Sequence, residues 1–197
     1  MEISIELQRL FDENGGILQT SIATQAGISR SLLSKYANNG LIERVSHGIY
    51  IPASEIADEM YSMQLRAKKI VFSHETALFF HNLTDRTPFK HSITVPSGYK
   101  PSDVIKEVSK IYYIKTNLIK LGQTTVKTNM NHLVHTYDVE RTICDVIRSR
   151  NKIDTQIVND ALRRYTSLKT ADYNKLYQYA SQLGIENVVK KYLDILL

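Results

Sequence analysis

Ser73-His74-Glu75 sets a hydroxyl, an imidazole and a carboxylate side by side, the three groups of a nucleophilic triad. Neighbouring residues at a helix start point in different directions, so the sequence assigns Ser73 to the N-cap of a helix running through Ala77, Leu78, Phe79 and Phe80 to Leu83. Six histidines raise the question of a metal, but His74 and His81 are seven apart, and His132 and His135 are three apart on an expected strand whose alternation separates them. Cys144, the single cysteine, stands at a helical position beside Ile143 and Ile147 and reads as core; alone it makes no intramolecular disulfide and no cysteine-based zinc site. Asp138, Glu140 and Asp145 are the carboxylates a metal nuclease could use. The strand segments ITV, IYYIK and TTVKT carry no acid, and Glu140 and Asp145 alternate with Arg141 and Arg148 as charge pairs on what reads as a solvated helix face. With no glycine-rich phosphate loop either, no catalytic residue, metal or cofactor is expected and the chain does not read as an enzyme.

The elements that would position these residues follow from periodicity. Ile3, Leu7, Leu10 and Phe11 fall at helical spacing and Asn14-Gly15-Gly16 ends that helix. After the short apolar step Ile17-Leu18, Thr20 or Ser21 caps a second helix with Ile22, Ala23 and Ala26 inward, and Gly27 stops it. Ser29 caps a third helix through Asn39, with Leu32, Leu33 and Tyr36 on its inner stripe. Ala23, Gly27 and Leu33 occupy the small, turn and buried positions of a helix-turn-helix. Leu41 to Val45, Ser46-His47-Gly48 and Ile49 to Ile51 then read as strand, tight turn and strand, a wing closed by Pro52, with Tyr50 in its core.

A winged helix of this kind presents its third helix to a major groove. The expected DNA-binding residues are Ser29, Arg30, Ser31, Ser34, Lys35 and Asn38 on that helix, with Arg30 reaching guanine, Ser29 and the helix start holding phosphate, and Arg44 and His47 on the wing touching the flanking backbone.

The rest of the chain reads as mixed α+β. ASEIADEMYSMQLRAKK, from Ala53 to Lys69, has helical period with Ile56, Met60, Met63 and Ala67 on one stripe. Ile70-Val71-Phe72 is a short apolar run; strands are expected at 91–95, 111–115, 124–129 and 132–137, a short helix at 102–107, and four terminal helices at 139–149, 154–165, 170–183 and 185–197. The fold class is therefore α+β: an N-terminal winged helix-turn-helix domain, residues 1–53, and a C-terminal α+β domain with a helical end, residues 54–197.

The 197 residues carry 25 Lys plus Arg against 20 Asp plus Glu, a net charge of +5, and 43% of them are hydrophobic, enough for a sizeable core. Residues 1–55 hold four bases and six acids, 56–120 ten and six, and 121–197 eleven and eight, so the excess lies outside the first segment. Within residues 28–52 the balance reverses, Arg30, Lys35 and Arg44 facing one acid, Glu43. Lys68, Lys69, Lys90 and Lys100 are the candidates for a second DNA contact. No apolar run approaches the roughly 18 residues of a membrane span, and MEISIELQRLFDENGG lacks the pattern of a signal peptide, so a cytoplasmic protein without a membrane partner is expected.

The segments NNGLIERVSHGIYIP, FSHETALFFHNLTDRTP, ITVPSGYK and DVERTICDVIRSR resemble the AbiEi-type antitoxins, the repressing half of AbiE abortive-infection toxin–antitoxin systems that serve in phage defence. The resemblance implies an autorepressor that binds inverted repeats in its own promoter, two copies per operator. It also implies that the C-terminal domain counteracts a nucleotidyltransferase-like toxin, direct binding between the two not being expected. The motif residues His74, Asp85, Arg86, Glu140, Arg141, Thr142 and Asp145 lie in the resembling segments, with a structural role favoured for Glu140 and Thr142. Two other readings stay open: a ligand-responsive winged-helix transcription factor without an antitoxin role, and a metal nuclease working through Asp138 or Asp145. No heptad repeat indicates whether the protein is monomeric or dimeric in solution.

Overall fold

The computed structural model describes residues 2–196, with side chains through Asp194. The chain is mixed α+β and forms two compact units by contact: residues up to Arg66 together with Lys127–His132, and Ala67–Val126 together with Leu133 onward.

The first unit begins with α1 (Ile5–Glu13), whose Leu7, Leu10 and Phe11 are buried at i, i+3 and i+4 and whose N-cap, Ser4, accepts from the Leu7 amide. The two-residue strand β1 (Leu18–Gln19) leads into α2 (Thr20–Gln25), then α3 (Arg30–Asn38) and a hairpin of β2 (Ile42–Ser46) and β3 (Ile49–Pro52). The three strands form an antiparallel sheet in the order β1-β3-β2. Leu7, Leu10, Phe11, Leu18, Ala23, Ile28, Leu33, Tyr36, Ile42 and Tyr50 close one core between helices and hairpin. Neither Thr20 nor Ser21 caps α2: its N-cap position is Gln19, without a side-chain cap, because pairing of Gln19 with Ile49 carries the strand to the edge of the helix.

α4 (Glu59–Arg66) is shorter than its periodic segment. The Asp58 carboxylate accepts from the Tyr61 amide at 3.0 Å and starts the helix there, leaving Ile56 outside it and 81% exposed, off the apolar stripe. The turn 127–132 joins this unit. Asp58 Oδ2 accepts from the Thr128 hydroxyl at 2.5 Å and faces His132 Nδ1 at 2.8 Å, His132 Nε2 donates to the Gly15 carbonyl at 2.7 Å, and its ring stacks on Tyr61.

The second unit is built on a five-stranded sheet, ordered β6-β5-β4-β8-β7. Its elements are β4 (Val71–Phe72), α5 (His74–Phe80), β5 (His91–Pro96), α6 (Asp103–Val108), β6 (Ser109–Ile114), β7 (Gln123–Lys127) and β8 (Leu133–Tyr137). β5 runs antiparallel to β4 and parallel to β6, with α6 as the crossover between β5 and β6, and β4 lies parallel to β8 through Phe72 and Thr136. Four helices complete it: α7 (Val139–Arg148), α8 (Thr155–Thr166), α9 (Tyr173–Gln182) and α10 (Glu186–Leu196). Val158, Ala161, Leu162 and Tyr165 on α8, Leu176 and Ala180 on α9, and Val189 and Leu193 on α10 pack one core with Ile143, Cys144, Val146 and Ile147 of α7. Leu197, which the sequence places at the end of the last helix, lies outside the described residues.

Candidate nucleic-acid interface

The turn between α2 and α3 is closed by Ile28 N–H donating to the Ala23 carbonyl at 2.9 Å, with Gly27 at φ 85°, a conformation that glycine adopts without steric cost. The Ser29 hydroxyl then accepts from the Leu32 amide at 3.2 Å and lies 2.9 Å from the Ser31 hydroxyl, fixing the first turn of α3. Leu33 and Tyr36 anchor the helix in the core. At roughly 100° per residue the polar side chains Arg30, Ser31, Ser34, Lys35 and Asn38 share an arc of about 140°, and all five are exposed.

The hairpin supplies the second half of this face. Gly48 takes φ 72° at its tip, and Arg44 and His47, both exposed, are joined by a 3.0 Å hydrogen bond. A guanidinium only donates, so His47 Nδ1 is the acceptor and its proton sits on Nε2. A groove of about 460 Å³ runs between α3 and the hairpin, lined by Ser34, Asn38 and Arg44 with Glu43 and Tyr50. The structure thus brings Ser34, Asn38 and Arg44 together in one concavity; Ser29, Arg30, Ser31, Lys35 and His47 are outside its lining. The acids of α1 are engaged within their own helix: Glu6 and Glu13 flank Arg9, and Asp12 accepts from Gln8.

In the second unit, Lys68, Lys69 and Lys100 line one groove of about 640 Å³, and Lys120, Tyr99 and His135 line it too. Lys69 Nζ lies 5.7 Å from the centre of the Tyr99 ring, a cation–π distance. Lys90 is not part of this group; it lines a separate pocket with Glu75, Arg86 and Lys110. Sequence reasoning left Lys120, Tyr99 and His135 out of the site. The segment Pro96-Ser97-Gly98-Tyr99-Lys100 carries a usable signal for one of these neighbours, Tyr99, in a Gly-containing turn at the end of a strand, whereas the approach of Lys120 and His135 depends on strand order.

The groups that resembled chemistry in the sequence are held differently. Ser73 occupies the N-cap position of α5, but its hydroxyl does not cap the helix. It lies 2.8 Å from His74 Nδ1 and accepts from the Thr94 hydroxyl at 2.8 Å, while His74 sits at φ 47° and has Ser149 Oγ 3.0 Å from its Nε2. The imidazole is stacked on Tyr112 and fully buried, and burial, reinforced by Arg148, Arg141, Lys110 and Lys152, holds it well below the usual histidine range. Glu75 is not its orienting acid: it accepts from Lys110 at 2.9 Å and from Ser92 Oγ at 2.7 Å.

The charge pairs of α7 exist but not on a solvated face, contrary to the sequence reading. Every residue from Glu140 to Ile147 is buried, because α5 and α9 both pack on this helix. Asp138 caps it through the Arg141 amide and holds Lys175 and the Tyr179 hydroxyl. Glu140 accepts from the Asp172 amide and faces Lys175, and Thr142 donates to the Tyr137 carbonyl at 3.4 Å. Cys144 is buried with its thiol pushed up to about 12 by burial, and its Sγ lies 3.5 Å from the Leu176 carbonyl. Among the described residues no three His, Cys, Asp or Glu side chains are grouped to hold a metal, and no helix is long and apolar enough to cross a membrane.

The crystal structure of RV2827C protein from Mycobacterium tuberculosis is similar in fold, with a TM-score of 0.62 at 13% identity, covering 91% of this chain and 72% of that one. No curated protein matches the chain. Residues 6–53 match a family described as "Transcriptional regulator, AbiEi antitoxin". That segment runs from α1 to the end of β3 and contains all eight polar residues of the α3 and hairpin face. The resemblance read from the sequence is thus matched by a family model over residues 6–53, about a quarter of the chain.

Proposed function

We propose that residues 1–53 form a winged helix-turn-helix domain that binds double-stranded DNA, with α3 in the major groove and the hairpin as the wing. The single observation that carries this reading is the division of α3: Leu33 and Tyr36 are buried, and Arg30, Ser31, Ser34, Lys35 and Asn38 are exposed on the opposite arc, with Arg44 and His47 exposed on the hairpin. Arg30 reads a guanine edge, Ser29 and the start of α3 hold a phosphate, and Arg44 and His47 contact the flanking backbone.

In this reading the protein represses its own operon from inverted repeats, one copy on each half-site, with half-sites about 34–36 Å apart or a multiple of that distance. Residues 54–197 form the antitoxin domain, which counteracts a nucleotidyltransferase-like toxin without a direct complex; the work is cytoplasmic and needs no cofactor. Lys68, Lys69 and Lys100, which share a groove with Lys120, supply a second DNA contact. Lys90, placed in another pocket, is a weaker member of that set.

Fluorescence anisotropy on the upstream region of the operon tests the reading. Arg30→Ala with Lys35→Ala lowers affinity and flattens the preference for operator over scrambled DNA. Unchanged affinity and preference would remove α3 as the reading helix.

A further inference from the structure

On the second unit, apart from the basic groove, a pocket of about 540 Å³ combines three kinds of chemistry. Its floor carries a fixed carboxylate. Glu75 Oε1 accepts from Lys110 Nζ at 2.9 Å, and Oε2 accepts from Ser92 Oγ at 2.7 Å and from the Tyr112 hydroxyl at 3.3 Å. Lys110 is itself tied to the Lys152 carbonyl at 2.8 Å, so two of its three N–H donors are committed and the ammonium is fixed in place.

The wall carries positive charge. Arg86 is oriented by Gln156 at 2.9 Å and by Asp154 at 3.6 Å, and Lys90 is exposed at the rim. Arg86, Lys90 and Lys110 against Glu75 leave the lining with an excess of two positive charges. Beside them Phe89 is 100% exposed. An aromatic ring kept wholly in water next to two cations is a platform for a flat ring that carries an anion.

We infer that this pocket binds a nucleoside monophosphate, the base stacked on Phe89 with an amino group towards Glu75 and the phosphate between Arg86, Lys90 and Lys110. A phosphate monoester carries about two negative charges at neutral pH, equal to the excess in the lining, and the volume lies within the roughly 300–1,000 Å³ of small-molecule sites. The fixed Glu75 selects against a bare phosphate, because a carboxylate facing an anion repels it unless a donor group intervenes. The pocket lies wholly in the second unit and does not depend on the DNA-binding reading.

Isothermal titration of the full-length protein with AMP, GMP, CMP and UMP, and with adenosine and inorganic phosphate as partial probes, tests this. At least one monophosphate binds about tenfold or more tightly than either partial probe. Phe89→Ala and Lys90→Ala, both at exposed positions that leave the fold intact, each weaken it by about tenfold. A Lys68→Ala, Lys69→Ala, Lys100→Ala variant binds the nucleotide as the parent does. The inference is overturned if no monophosphate outbinds inorganic phosphate, if the affinity survives both pocket substitutions, or if it is lost in the triple-lysine variant. A 5′-phosphorylated tetranucleotide binding more tightly than any mononucleotide would replace the free ligand with a nucleic-acid end and overturn it as stated. Self-association abolished by Phe89→Ala, without nucleotide binding, would assign the exposed ring to a contact between copies instead.

Discussion

Arg141 and Asp145 form a 3.1 Å ion pair one turn apart on α7 with neither side chain reaching solvent. The same guanidinium donates to the Leu118 and Leu121 carbonyls and lies 4.2 Å from the centre of the Tyr137 ring, while Arg148 approaches the other Asp145 oxygen at 3.3 Å. Arg141 thus pins the segment before β7 to the helix that follows β8. Removing one partner strands a buried charge, so Arg141→Ala lowers the stability of the second unit by about 3–5 kcal/mol, whereas Arg141→Met with Asp145→Leu costs less than the single change. Urea denaturation of the three proteins, followed by circular dichroism, checks the order.

Gly122 stands against the same arginine. At φ 69° a Cβ there would lie 2.6 Å from Arg141 Cβ and 3.1 Å from the Tyr179 ring. Gly122→Ala therefore destabilises by about 1–3 kcal/mol through backbone strain alone, and more once the contact is added. The thermal midpoint of the variant should fall accordingly.

His74 makes stability depend on pH in a defined direction. Its folded state resists protonation, while the unfolded chain takes up a proton below the ordinary value of 6.5. The unfolded state then binds more protons, so the contribution of His74 is intact above about pH 6.5 and is lost as pH falls below it, by up to about 1.4 kcal/mol per unit. Urea midpoints measured from pH 7.5 to 5 should fall less steeply for His74→Gln than for the parent.

Asp58 serves three partners at once: the Tyr61 amide, the Thr128 hydroxyl and His132. Asp58→Ala loses a helix cap and leaves the buried Thr128 hydroxyl without its acceptor, a cost of about 2–4 kcal/mol. Hydrogen exchange at the amides of Asn131 and His132 should accelerate before that of the α1 core.

Much of the element order was legible because apolar spacing repeats cleanly: Leu7, Leu10 and Phe11 announce α1, and β-branched runs announce β5, β6 and β8. What failed depends on distant partners. The run VERTICDVIR looks like a solvated charged helix until α5 and α9 cover it from both sides, and the start of α4 was decided by Asp58, one acid among several in its segment. For the proposed reading face, side-chain spacing alone separates the exposed from the buried positions of α3, since a helix anchored by Leu33 and Tyr36 has one outward arc. For the lysines, spacing carried no such information: Lys68, Lys69 and Lys100 converge because β5 neighbours β4, and Lys90 lies at the opposite end of β5. Ser73 shows the same limit, as Thr94 on the neighbouring strand competes for the hydroxyl that local sequence assigned to the helix.

The proposed reading of DNA by α3 turns on Arg30. Measured by anisotropy on the upstream operator and on a scrambled duplex at a fixed salt concentration, the parent protein should prefer the operator, and Arg30→Ala should lose about 1–3 kcal/mol on the operator while changing little on the scrambled duplex. Equal losses on both, or none on either, would contradict the assignment of α3 as the reading helix.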